Sequence, residues 1–420
     1  VKSINIKQRK GVRLLCILAL SFLITGIATA ENGVSSEQNK FHRFWPDNLY
    51  AVEFVNDKVG FIAGYSGSVF KTEDGGETWG AIYIGVNELI RHMSFVDESN
   101  GWAVGHRGSI LHTADGGLSW EVQKQDKGNY LRDIAFADKN NGWAVGHGAA
   151  IWHTSDGGKT WQKQSLTGYE GRDLPRLHGV VAKDANTAVV VGEFGAIAHT
   201  ENGGELWLMS YNPSSATLLS VANQGSGAVA VGLDGGIFAI TVATAAQKEA
   251  VKEIKAAKLA KAEAKAKKKA ERRGKKYVPK EVVELQESDT GYFVTQMDSG
   301  ITNHLYDVSS TATNDVVIVG ASAMLKVSKN EAAATTDTES VVEEVLEPTY
   351  TVANLIPQEG FPLPFTWMGG VDVTESGEIW SAGLRGMIVK GDLNGMSFGQ
   401  KLNIAGSEAV KLISSRWGEK

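Results

Sequence analysis

Cysteine is almost missing: one residue in 420, Cys16. That excludes a disulfide framework, a cysteine-based zinc site and an iron–sulfur cluster. Proline is scarce too, at eight, and no Gly-X-Y period is present, so the chain is not collagen-like. Charged residues are 21% against 42% hydrophobic ones, a globular rather than a disordered balance. The net charge of −6 argues against general nucleic-acid binding.

The charge is unevenly placed. Residues 1–30 carry Lys2, Lys7, Arg9, Lys10 and Arg13 and no acid. The apolar run Leu14–Ile24 follows, then the small-residue signal Ala28-Thr29-Ala30. The run is short for a spanning helix of ~20 residues, and this order of regions is that of a secretory signal. Residues 1–30 are therefore expected to be a signal peptide cleaved after Ala30. The protein would be exported, to a periplasm. Removing Cys16 with the signal would leave no cysteine at all.

What the chain has in excess is glycine and tryptophan. Its 48 glycines in 420 residues are about 11% against a usual ~7%. Tryptophan, at 11, outnumbers tyrosine, at 10. Both fall in a repeat. A short apolar strand and a turn lead to a second apolar strand ending in Gly. A tight loop and a third strand follow. The strand-ending glycines are Gly64, Gly105, Gly146, Gly192, Gly232, Gly320 and Gly383. The first five are 40 to 46 residues apart, and two longer steps hold insertions.

Segments such as Ser109-Ile-Leu-His-Thr alternate with period two, not 3.6. Seven such units of about 40 residues predict an all-β fold, a seven-bladed β-propeller over residues 41–417. Phe61, Trp102, Trp143 and Trp380 recur three residues before the Gly and are expected to pack between blades. The closing strand would come from Phe41–Trp45 or from Val410–Trp417.

Four units run on into a second motif, Thr-x-Asp-Gly-Gly-x-x-Trp. Its acids are Asp74, Asp115 and Asp156, with Asn202 in the fourth copy, and its rings are Trp79, Trp120, Trp161 and Trp207. Asp-Gly-Gly suits a tight hairpin whose carboxylate accepts from its own backbone N–H groups. These acids read as structural, neither catalytic nor metal-binding. The pattern resembles the Asp-box, or BNR repeat, of sialidases and other propellers.

Two insertions leave the third strands of neighbouring units. Residues 242–290 hold an Ala/Lys-rich stretch. Within it, 247–276 contains thirteen Lys/Arg and four Glu, a composition that favours a long solvated helix. Residues 330–349 are acidic, with six Asp/Glu and no Lys or Arg. A basic helical insertion in blade five and an acidic one in blade six are therefore expected on one face. Contact of 244–276 with an anionic membrane surface is an expectation of that charge.

The opposite rim collects Tyr50, Arg91, Arg132, His178 and Tyr306 at equivalent positions. It also collects Tyr65, His106, Arg107, His147, Glu193 and Arg385 from the loops between second and third strands. Arg172 and Arg176 lie on a longer loop into the fourth unit. Arg and Tyr dominate interface energetics, so this basic, aromatic-edged rim is a candidate partner site. His112, His153 and His199 form a column on third strands and read as strand residues, not as metal ligands.

The stretches Ile90–Trp120 and Leu131–Trp161, and less closely Leu49–Trp79 and Leu177–Trp207, resemble the photosystem II stability/assembly factor family. The resemblance implies a seven-bladed propeller of the thylakoid lumen. It implies a chaperone-like scaffold without a cofactor, whose partner is a newly made membrane protein. Two other classes stay open. A sialidase-like glycoside hydrolase needs three Arg, a Tyr–Glu pair and an acid/base Asp. The rim has the Arg, but Glu193 is the one acid that the repeat places there, and no Tyr–Glu pair or free Asp stands out. An accessory subunit of an envelope transporter is the third.

Overall fold

The computed structural model describes residues 48–169, 171–274, 291–330, 349–356 and 367–393. All belong to the compact unit His42–Lys420. They form seven sheets, antiparallel except for one short pair, arranged as the blades of a propeller. The inner strands are Leu49–Phe54, Ile90–Phe95, Leu131–Phe136, Leu177–Ala182, Leu218–Gln224, Leu305–Ser310 and Met368–Val373. Each touches the next, and the seventh touches the first, so they enclose a central axis. From there the strands of a blade follow outward in chain order.

Two blades depart from the four-stranded plan. Blade four gains a short outer strand, Leu166–Thr167, which pairs in parallel with Trp207–Met209. Blade seven has three strands among the described residues. Both candidates for a closing strand, the expected signal peptide and residues 331–348 of the acidic insertion lie outside the described residues. The expected helix is present as α1, Ala245–Arg272. It sits between the third and fourth strands of blade five, Ile237–Val242 and Tyr292–Met297. Among the described residues, no helix is long and apolar enough to cross a membrane.

Second strands are buried from end to end in five blades, and in all but their first residue in blades five and seven. This is why they read as Gly-Trp-Ala-Val-Gly rather than as an alternating pattern. The aromatic plugs pack across blade boundaries, as the sequence implied. Phe61 stacks on Phe95 at 4.2 Å, Trp102 on Phe136 at 3.5 Å, and Trp380 on Phe54 at 4.9 Å. The last of these contacts joins blade seven to blade one. Gly76 lies so close over the Trp380 ring that a Cβ there would overlap it. Its φ of +82° is a second reason for glycine.

The three Asp-Gly-Gly turns share one geometry, which the Asn-Gly-Gly turn of blade four keeps in part. In the second, Thr113 Oγ1 donates to Asp115 Oδ1 (2.8 Å), and so does Ser119 N–H (2.9 Å). Ser119 Oγ donates to Oδ2 (2.6 Å), and Gly117 N–H closes the turn on Thr113 Oγ1 (2.8 Å). Asp74 and Asp156 do the same through Thr78 and Thr160. Asn202 keeps only the bonds made to Oδ1. The tryptophans reach beyond their own turns. Trp120 meets Phe95 and Trp161 meets Phe136 on the inner strands, while Trp79 meets Trp380 and Trp207 meets Trp143 of the preceding blade.

Trp380 is fully buried at the seam that closes the ring. Trp380→Ala is expected to cost about 3–5 kcal/mol, measured by urea unfolding. A loss comparable to that of a surface substitution would show that ring closure does not depend on this contact.

Candidate functional site

Every inner strand carries an irregularity near its start. Pairing skips one residue in each: Tyr50, Arg91, Arg132, His178, Leu219, Tyr306 and Gly369. An extra residue in one strand leaves the ladder and its side chain is re-aimed. The rim positions expected from equivalence are thus the bulge residues of five blades. The loops between second and third strands supply the rest. In several of them the second residue has positive φ: Ser66, Phe194, Asp234 and Arg385.

The structure brings one group of these residues together. Tyr50, Tyr65, Arg91, His106, Arg107 and Arg132 line an open cleft of about 500 Å³ across blades one to three. The Arg91 guanidinium lies 4.8 Å from the Tyr50 ring centre, a cation–π distance. Tyr50 meets Tyr65 edge-on at 5.4 Å and Trp367 at 4.7 Å. Tyr306 joins through the same Trp367, at 5.6 Å. Arg132 Nε donates to His147 Nε2 (3.1 Å), and His147 adjoins Tyr130, which stacks on His106 at 4.6 Å. Arg385 stands apart from the cleft lining. Its exposed side chain tops a turn whose N–H donates to Asn48 Oδ1 (3.0 Å).

The electrostatics of this group are those of fixed cations among neutral imidazoles. Burial and then the Arg132 charge push His178 down to about 3 and His147 down to about 4. His106 is lowered by burial and the same charge. Arg132, lowered to about 10 by burial and Arg91, still carries its proton at neutral pH. Positive charge at neutrality comes from Arg91, Arg107, Arg132 and Arg176. Two of the rim acids are engaged, while Asp234 is exposed and faces His304 at 3.6 Å. Glu88 accepts from Arg107 N–H (2.6 Å) and from Ser109 Oγ, and Glu193 faces Arg176 at 3.4 Å.

Sequence reasoning missed three things. Trp367 bridges Tyr50 and Tyr306, but it precedes the seventh inner strand in a stretch with no motif. The rim also exposes Tyr130, Phe194 and Leu384, whose signal was their place next to the counted loop residues. The third is a set of titratable groups on the axis, one to three residues beyond the bulges. His92 Nδ1 lies 2.8 Å from Asp133 Oδ1. Asp133 Oδ2 accepts from Val180 N–H (2.7 Å), Asp307 Oδ2 from Val371 N–H (2.9 Å) and Asp372 Oδ2 from Phe54 N–H (2.6 Å). Glu53 Oε1 accepts from Phe95 N–H (3.0 Å).

The histidine column is made of strand residues. His112 and His153 lie against Trp102 and Trp143, and buried His199 pairs with Ser210 Oγ at 3.1 Å. Among the described residues, no group of three or more His, Cys, Asp or Glu could hold a metal ion.

A ring of bulged inner strands that presents charged and aromatic side chains on one rim is a recognition propeller. The sequence profile of the photosystem II assembly factor YCF48 matches residues 71–365, and the chain belongs to that family. No curated protein matches it. Among solved structures, YCF48 bound to D1 peptide is similar, with a TM-score of 0.54 and 15% identity over 83% of this chain and 93% of that one. YCF48 from Cyanidioschyzon merolae gives 0.54 and 14% over 83% and 97%. An ancestral GH74 enzyme gives 0.56 and 12% over 84% of this chain and 46% of that one. At these identities the likeness shows the propeller fold.

The axial groups set a pH dependence. Burial, then Asp372, raises Glu53 to about 8, and burial raises Asp372 to about 6. Burial opposes the charge on His92, but Asp133 overcomes it and raises the ring to about 10. Above neutrality the folded chain therefore holds protons on Glu53 and His92 that the unfolded chain has lost. Their contribution to stability is lost as pH rises through about 8 and 10. The neutral histidines act the other way, but only below about pH 6.5. Tm is expected to fall from pH 7 to pH 9, and Glu53→Gln to lessen the fall. Calorimetry that found a flat or rising Tm over that range would refute the assignment.

Proposed function

We propose that this chain is an exported, non-catalytic propeller that holds a membrane-protein client through its basic rim. The observation that carries the reading is the cleft in which Arg91, Arg107 and Arg132 stand beside Tyr50 and Tyr65. Family membership supports a role in assembly, and a structural relative binds a D1 peptide. A cleft built on inner strands is held still, so binding orders few side chains. Fixed guanidinium groups on an acidic protein attract an anionic segment selectively. The rim acids Glu88 and Glu193 are both held in local pairs, which does not favour glycoside hydrolysis by two free carboxyls. Export to a periplasm or lumen-like space follows from the basic, apolar and small-residue order of residues 1–30.

The test is binding of a labelled D1 peptide, and co-purification of partners from the native membrane, with the full chain. Arg91→Glu with Arg132→Glu should weaken binding at least about tenfold, the scale of a lost charged contact. The milder pair Arg107→Ala and Arg132→Ala should weaken it in the same direction with Tm unchanged. Undiminished binding by both folded variants would overturn the reading.

A further inference from the structure

The helix α1 replaces the tight turn that joins third and fourth strands in blades one to four. Its start is firmly built. Gln247 N–H donates to Thr244 Oγ1 (3.2 Å) and Thr244 N–H to Gln247 Oε1 (2.9 Å), a capping box. Val251 is 2% exposed, so the root of the helix is packed. Beyond that root the helix projects almost wholly exposed residues.

Its charges are sorted by face. Residues three, four or seven apart share a side of a helix. On the side that begins with Val251 and Ile254 lie Lys261, Lys265, Lys268 and Arg272. These four cations are exposed and span about 16 Å at ~1.5 Å per residue. Their side chains form no ion pair among the described residues. The helix's acids, Glu249, Glu253, Glu263 and Glu271, all project within an arc of about 80° on the other side, at ~100° per residue. Two of them pair there, Glu249 with Lys252 at 3.6 Å and Glu263 with Lys267 at 3.1 Å. The side that is apolar at its root is therefore purely cationic farther out.

We propose that the face formed by Lys261, Lys265, Lys268 and Arg272 docks on an anionic lipid surface. A folded protein partner is held by aromatic and arginine anchors in shaped pockets, and α1 contains no aromatic residue. Its outer half offers mainly lysines set among alanines. Flexible point charges in a row suit a laterally continuous anionic surface, to which each adds attraction within a Debye length. Acids kept to the far side leave that face free of repulsion. The inference does not depend on what the opposite rim binds.

The test is lysine acetylation of the full chain, read residue by residue by mass spectrometry. Vesicles of phosphatidylcholine and phosphatidylglycerol at about three to one, in about 50 mM salt, keep screening weak. Lys261, Lys265 and Lys268 should react at least about fivefold more slowly with these vesicles, as expected of lysines held at an anionic surface. Lys248, at the root, should change less than about twofold. Protection should vanish with pure phosphatidylcholine and at about 500 mM salt. Arg91→Glu with Arg132→Glu should leave the pattern intact, which separates this face from the client rim. No protection, or equal protection along the whole helix, would overturn the proposal. Protection by polyglutamate but not by vesicles would also overturn it, in favour of an acidic polypeptide.

Discussion

The structure depends on how seven inner strands are held to one another around the axis. An inner strand is paired on its outer side only, so its remaining backbone N–H groups face the neighbouring blade. Left unpaired in a buried place, each would cost free energy. The chain meets them with side chains of the adjacent blade. Glu53 takes Phe95 N–H, Ser94 takes Phe136 N–H and Asp133 takes Val180 N–H. Asp307 takes Val371 N–H, and Asp372 takes Phe54 N–H to close blade seven on blade one. Blade five joins through Ser220 Oγ, which donates to Asp307 Oδ1 (2.7 Å). The polar axis is a seam in which nearly every acid has a backbone donor.

That seam and the basic rim share a strand. Arg91 and His92 are consecutive. The first is the bulge residue aimed at the rim, the second lies within the ladder and meets Asp133. Burial lowers the Arg91 pKa, and the nearby charge of Asp133 opposes that shift. The carboxylate that ties blade three to blade four thus also helps hold a guanidinium charged in the cleft. Asp307 acts on Arg91 in the same sense, so two acids of the axial seam favour the positive charge of this bulge residue.

How much of this was legible in the sequence follows from how local each signal is. The propeller was legible because the repeated Gly, the plug such as Trp143 and the turn of Asp156 recur within one unit. The rim residues were legible as equivalents, though nothing in Arg91 or Tyr50 alone showed that each is a bulge. The axial set was not legible. It takes Glu53, His92, Asp133, Asp307 and Asp372 from five strands, and no two lie in one motif. Ser94 and Ala135 stand where Glu53 and Asp372 stand in their own blades, so no column of acids appears in the repeats. Only closing the ring brings them together. Trp367 was hidden for the same reason.

The fourth turn and the fifth blade show where the fold has room to vary. Asn202 keeps the turn with fewer bonds, because its Oδ1 still accepts from Leu206 N–H (3.0 Å) and Thr200 Oγ1 (3.0 Å). Blade five drops the turn altogether and still pairs Ile237–Val242 with Tyr292–Met297 in register. The outer hairpin is thus replaceable, since the inner ladder and the axial seam already fix the blade. An inserted helix at that point need not disturb the ring, and it emerges on the rim that the bulges do not use. The constraint that makes the inner strands invariant in form is what leaves the outer turns available for new surfaces.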